Sequence, residues 1–296
     1  MKKLIAGILF AILVLSLAAC GTKDAGTSGQ DTTDAGETTD VGEKAEDNTQ
    51  EEATKLVVGA SNTPHAIILE EAKPLLEEKG IELEIETYQD YVLPNKDLEA
   101  KALDANYFQH IPYMEGQMAD FGYEFVNAGA IHIEPIGVYS KKYKSLEELP
   151  DGATILISNS VADHGRVLAM LEEKGLIKLK DDVEKVKAEL DDIVENPKNL
   201  QFDPNYEPAL MPQLYKNDEG DALLINSNYA IDAGLNPLED AIALEETDSP
   251  YVNIITVREG DENKDAIKTL VEVLKSKEIQ DFILEEWKGS VVPVES

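Results

Sequence analysis

The chain holds one cysteine in 296 residues, Cys20, so no disulfide can form within it. Aromatic residues are scarce at 6%, with a single tryptophan, and there are only four histidines. Positive charge is sparse as well: 26 lysines and arginines stand against 59 aspartates and glutamates, a formal net charge of −33. So acidic a chain repels phosphate backbones, which argues against a nucleic-acid partner. Long apolar runs are missing apart from one at the N-terminus, Leu4 to Leu17, which falls short of the ~20 residues a spanning helix needs. The signatures of common catalysts are missing too: no G-x-S-x-G elbow, no H-E-x-x-H and no phosphate-binding loop. Paired carboxylates are so abundant that they discriminate nothing. His65, His110, His132 and His164 show no recognisable metal-ligand spacing. No cofactor and no metal is therefore expected, and an exported enzyme or a metal-capturing protein are the weaker readings.

What is present begins with MKKLIAGILFAILVLSLAAC. Two lysines, an apolar run and small residues read as a secretory signal, residues 1–19. Leu17-Ala18-Ala19-Cys20 resembles the bacterial lipobox, in which the cysteine is lipidated and becomes the mature N-terminus. Two acyl chains on Cys20 would suffice for a stable anchor at the extracytoplasmic face of the cell membrane. From Cys20 to Ala53 the chain is rich in Gly, Thr, Asp and Glu, with ten acids and two lysines, and reads as a disordered acidic spacer. Setting aside its excess of eight negative charges and the two leader lysines leaves about −27 on residues 54–296. That length fits one large domain or two lobes.

The folded part alternates strands and helices. Lys55 to Ala60 is a short apolar run, Pro64 to Lys79 has apolar residues at helical spacing, and Ile81 to Glu86 alternates strictly. That order builds parallel sheets. The pattern recurs with a strand at 153–157, a helix at 162–174 and a strand at 221–225. Leu176 to Asp192 reads as another helical stretch, and a late strand at 251–257 is followed by helices at 264–275 and 277–287. The expected class is α/β with two lobes: residues 54–135, then 136–250, then a return at 251–296.

Arg166 stands in the first turns of the helix after Ile157, where a helix N-terminus favours an anion. Its fork can grip a carboxylate with two parallel hydrogen bonds, or it can pair at i,i+3 with Asp163. Leu103 to Met114, LDANYFQHIPYM, concentrates Tyr107, Phe108, His110 and Tyr113; alternation sends one of Tyr107 and Phe108 to the core.

DANYFQHIPY, YSKKYKSLEELPDGA, ENPKNL, INSNYA and SPYVN occur in an order similar to that of methionine-binding lipoproteins of the MetQ/NlpA type. The resemblance runs from about Lys55 to Val294. It implies a two-lobed periplasmic-binding fold of type II-like form, with a cleft that captures L-methionine for an ABC importer whose permease and ATPase are separate chains. It implies that Arg166 holds the ligand carboxylate and that Asn226 and Asn253 contact the ligand. Phe108 and Tyr113 would wall a thioether slot, with Tyr91 near it, His110 at its rim and Tyr107 in the core. Where such lipoproteins read approximately PNDPTNxGR, this chain has SNSVADHGR, which places Asp163 where an asparagine usually contacts the ligand. Aspartate could pair with an ammonium, or partly neutralise Arg166. PQLYKNDEGDA departs as well, so another amino acid or a methionine-containing dipeptide stands as the alternative ligand.

Overall fold

The computed structural model describes residues 53–246 and 250–294. The leader, Cys20 and nearly all of the acidic spacer lie outside the described residues.

The first strand–helix–strand unit forms as its pattern requires. β1 (Thr54–Ser61) turns Leu56, Val58 and Ala60 inward, and α1 (Ile67–Glu77) lays Ile68, Leu69, Ala72 and Leu76 against the same core. β2 (Ile81–Tyr88) returns parallel to β1. After α2 (Leu93–Glu99), β3 (Ala105–His110) pairs in parallel with the other edge of β1. α3 (Ile111–Phe121) has a proline in its first turn and ends at left-handed Gly122; β4 (Phe125–Ile133) follows.

Past Ile133 the chain builds a different sheet. β5 (Gly137–Tyr139) and β6 (Thr154–Ser158) precede α4 (Val161–Glu173). The short β7 (Lys178–Leu179) and β8 (Ile193–Glu195) pair only with each other. β9 (Gln201–Tyr206), α5 (Met211–Lys216), β10 (Ala222–Ile225), α6 (Ser227–Asp232), α7 (Pro237–Asp240) and β11 (Ala241–Leu244) complete it. The strand order is β11-β5-β10-β6-β9, over a core that includes Ile155, Ile157, Leu168, Leu171 and Leu224.

The chain then goes back. β12 (Val252–Arg258) inserts antiparallel between β3 and β4, α8 (Asp265–Leu274) and α9 (Lys277–Trp287) pack on the first core, and β13 (Val292–Pro293) pairs with β4. The first sheet therefore reads β13-β4-β12-β3-β1-β2.

Leu176–Asp192, expected as a helix, is not one. It runs through β7 and two single 3-10 turns, Lys185–Lys187 and Leu190–Asp192. Its lysines and glutamates suit a helix, but tertiary packing overrides that preference. Leu179 and Ala188 are buried among the second core, and the backbone at Lys185 and Val186 presses onto α4 at Gly165. A Cβ there would lie 2.5 Å from the Lys185 carbonyl oxygen.

Candidate ligand-binding site

The site is assembled by strand ends and helix starts. β3 carries Phe108 and His110 to its C-terminal end, and the first turn of α3 adds Tyr113. Tyr91 comes from the loop between β2 and α2, while the first turns of α4 supply Asp163 and Arg166. Asn226 follows β10 directly, and Asn253 lies near the start of β12. These eight side chains, drawn from elements around both sheets, line one cavity.

Its apolar wall is a triangle of rings. Tyr91, Phe108 and Tyr113 have centroids 5.8 to 6.0 Å apart in tilted and edge-to-face arrangements, the geometry ring quadrupoles favour. Tyr107, expected in the core, is fully buried there.

The polar wall is already knit together. His110 Nδ1 accepts from the Tyr113 backbone N–H at 3.2 Å and caps α3. The ring proton therefore sits on Nε2, which donates to Asp163 Oδ1 at 3.1 Å. His110, expected at the rim, is thus buried and bridges elements of the two sheets. Asp163 Oδ2 accepts from Asn226 Nδ2 at 3.2 Å, and Arg166 Nη1 lies 3.5 Å from Oδ1. Burial alone would raise the Asp163 carboxyl, but the His110 hydrogen bond, Arg166 and Asn226 outweigh it and hold it well below the usual carboxylate range.

Arg166 is 5% exposed and meets an acid that the sequence did not single out. Its Nε, at 3.0 Å, and its Nη2 both donate to Glu245 Oε2, and Nη2 donates to the Glu134 carbonyl at 2.8 Å. The guanidinium also stacks on Tyr251, 4.6 Å from the ring centroid. Burial would lower the arginine's pKa; Glu245 and Asp163 more than compensate and raise it. The Nε edge is committed to Glu245, so the Nη1 edge is the one turned toward Asp163.

Residues 56–295 match the NlpA lipoprotein family. The chain belongs to that family. It is 49% identical to the methionine-binding lipoprotein MetQ of Bacillus subtilis, over 99% of each chain. A solved nutrient-binding protein of Burkholderia cenocepacia bound to methionine is 40% identical, with a TM-score of 0.76, covering 80% of this chain and 99% of that one. A pheromone cOB1 precursor/lipoprotein of Enterococcus faecalis is 58% identical at a TM-score of 0.79, covering 81% of this chain and 100% of the other. As in these NlpA relatives, the architecture is α/β with sheets and helices alternating in two lobes.

Several cavity residues of this NlpA-family chain escaped the sequence reading. His65, Glu134 and Asn228 line the same cavity. His65 Nε2 lies 3.0 Å from Asn253 Oδ1 and 3.1 Å from Glu134 Oε1, and His132 Nε2 lies 2.8 Å from that same oxygen. Asn228 accepts from the Tyr91 hydroxyl at 2.7 Å. His65 and His132 are far apart in sequence, and two glutamates among 59 acids carry no signal of their own.

Proposed function

We propose that this chain is an extracytoplasmic solute-binding lipoprotein that captures L-methionine and passes it to an ABC importer. It binds and releases its ligand without chemical change. The permease and ATPase of the importer are separate chains, and the anchor is the diacylated Cys20 at the end of the acidic spacer. Among the described residues no helix is long and apolar enough to cross a membrane. The lobes run 54–135 with 251–296, and 136–250; the change of sheet after Ile133 and again before Val252 supports that division.

One observation carries the reading. Tyr91, Phe108, His110, Tyr113, Asp163, Arg166, Asn226 and Asn253 converge on a single cavity with an apolar wall and a charged wall. A thioether suits the ring triangle, while carboxylate and ammonium need polar partners when they leave water. The Nη1 edge of Arg166, with Asn226 beside it, is assigned the carboxylate. A second ligand class, another amino acid or a methionine-containing dipeptide, is favoured by one feature. Asp163 and Glu245 already share the Arg166 charge, which weakens its pull on a further carboxylate.

Ligand binding only the folded state raises the melting temperature. Protein unfolded and refolded to strip co-purified ligand should melt higher with L-methionine. No shift with any of the twenty amino acids or simple methionine dipeptides removes the importer reading.

A further inference from the structure

Glu134 is a buried carboxylate facing the cavity, and every group that hydrogen-bonds it is neutral. Oε1 accepts from His132 Nε2 at 2.8 Å and from His65 Nε2 at 3.1 Å, and the Asn228 backbone N–H is a third donor. Tyr107 donates its hydroxyl to His132 Nδ1, which leaves that ring's proton on Nε2, aimed at Glu134. Two acceptors, Asn253 Oδ1 and Glu134 Oε1, face His65 Nε2, so that nitrogen carries its proton too. Burial lowers His65 to about 4 and His132 to about 3, which makes both imidazoles uncharged at neutral pH.

Among the described residues no lysine or arginine pairs with this carboxylate. Arg166 donates to the Glu134 backbone carbonyl, while its charge is met by Glu245 and Asp163. One arginine thus stands among three carboxylates around the cavity. Burial raises the Glu134 carboxyl against the nearby charge of Arg166, and a cation that an entering ligand brings into contact with it would favour the ionised form.

The geometry points to Glu134 as the receiver of the ligand's α-ammonium, with His65, His132 and Tyr107 as positioning residues behind it. The inference rests on the amino-acid reading of the same cavity. It narrows the ligand class to primary amines beside an acyl carbon, meaning a free amino acid or the free N-terminus of a small peptide. An N-acylated amino acid would be refused.

A metal ion is the other cation that two imidazoles and a carboxylate could attract; the three residues offer ligand atoms within 4.8 Å of one another. Metal ligation through both Nε2 atoms would move each ring proton to Nδ1. Nδ1 of His65 is buried with no hydrogen-bond partner, so its N–H would be orphaned. Metal-bound imidazoles almost always donate that second N–H. An ammonium asks for no such change, because it supplies the donors and leaves both ring protons in place.

The test uses the full-length chain in detergent, refolded free of ligand, with L-methionine and 4-(methylthio)butanoate, which is methionine without its amino group. The parent should bind L-methionine at least about a hundredfold more tightly, as befits a buried charge-assisted contact. Glu134→Gln should cut that ratio by about tenfold or more through loss of L-methionine affinity. His132→Gln should cut the ratio in the same direction, a change that a merely structural role would not produce. Equal binding of the two ligands by the parent overturns the assignment without recourse to any variant. The ratio surviving Glu134→Gln, or collapsing only in Asp163→Asn, overturns it while leaving the methionine reading intact. Stoichiometric zinc binding lost in Glu134→Gln overturns it in favour of a metal. A parent that binds no methionine overturns both readings.

Discussion

Arg166 and Glu245, 79 residues apart, form a buried ion pair in which Nε and Nη2 converge on one carboxylate oxygen. Glu245 is itself held in place: its backbone N–H donates to the Ile136 carbonyl at 3.0 Å, and its Oε2 accepts from the Ile136 N–H at 3.1 Å. The pair therefore ties the cleft arginine to the segment where the chain passes from one sheet to the other. Removing one member of a buried pair leaves the other charge uncompensated. Glu245→Ala should lower the unfolding free energy by about 3 kcal/mol in urea titration, within the usual range for a broken buried pair. An unchanged urea midpoint would show that Asp163 alone satisfies the arginine.

Arg166→Met conserves much of the apolar stem and removes the fork. L-methionine binding by calorimetry should weaken by at least about a hundredfold, as loss of a buried charged hydrogen-bonding group implies. Circular dichroism of the folded variant checks that the effect lies in the site. Retained affinity takes Arg166 out of the ligand's contacts.

Stability should fall on mild acidification. His65 and His132 have folded values of about 4 and about 3, below the ordinary 6.5. Between those limits the unfolded chain binds protons that the folded one refuses, so stability is fully present above about pH 6.5 and is lost as pH drops toward 4. Glu134, raised by burial, works the other way, but it is one group against two. Thermal melts at pH 7, 5.5 and 4.5 should decline in order. A flatter decline is expected for His132→Gln; an identical one would mean that the ring titrates freely.

Gly165→Ala should destabilise, against the usual rule that alanine improves a helix interior by about 1 kcal/mol. The new Cβ would stand 2.5 Å from the Lys185 oxygen and 2.7 Å from the Val186 carbonyl carbon. Both are backbone atoms and cannot swing aside, so a loss of about 1–3 kcal/mol is expected, the usual cost of overpacking. Urea denaturation reads it directly, and a gain in stability would mean that the 185–187 turn moves easily off α4.

Much of this was legible in the residues, for reasons that can be named. Alternation in Ile81–Glu86 and helical spacing in Lys264–Lys275 reflect one-sided burial, and both became the expected elements. α3 could have been read as well: His110 caps it, Pro112 stands in its first turn and Gly122 stops it. Leu176–Asp192 could not, because what decides its path is the groove at Gly165, a feature of another element. The charged half of the cavity was legible only in part. Arg166 and Asp163 sit in one helix turn, whereas the contact between His65 and Asn253 spans 188 residues. Such contacts leave no periodic trace.

His110 gives its two ring nitrogens to different tasks. Nδ1 closes the first turn of α3, and Nε2 reaches across to Asp163 on α4. Few side chains can accept from a backbone amide and donate to a carboxylate on opposite sides of one flat ring. Asparagine could replace the first role and glutamine the second, but neither spans both. Sequence drift at this position is therefore constrained twice, once by the nucleation of a helix and once by the clasp between lobes. Any substitution here that reshaped the cavity would also remove the side-chain cap from the start of α3.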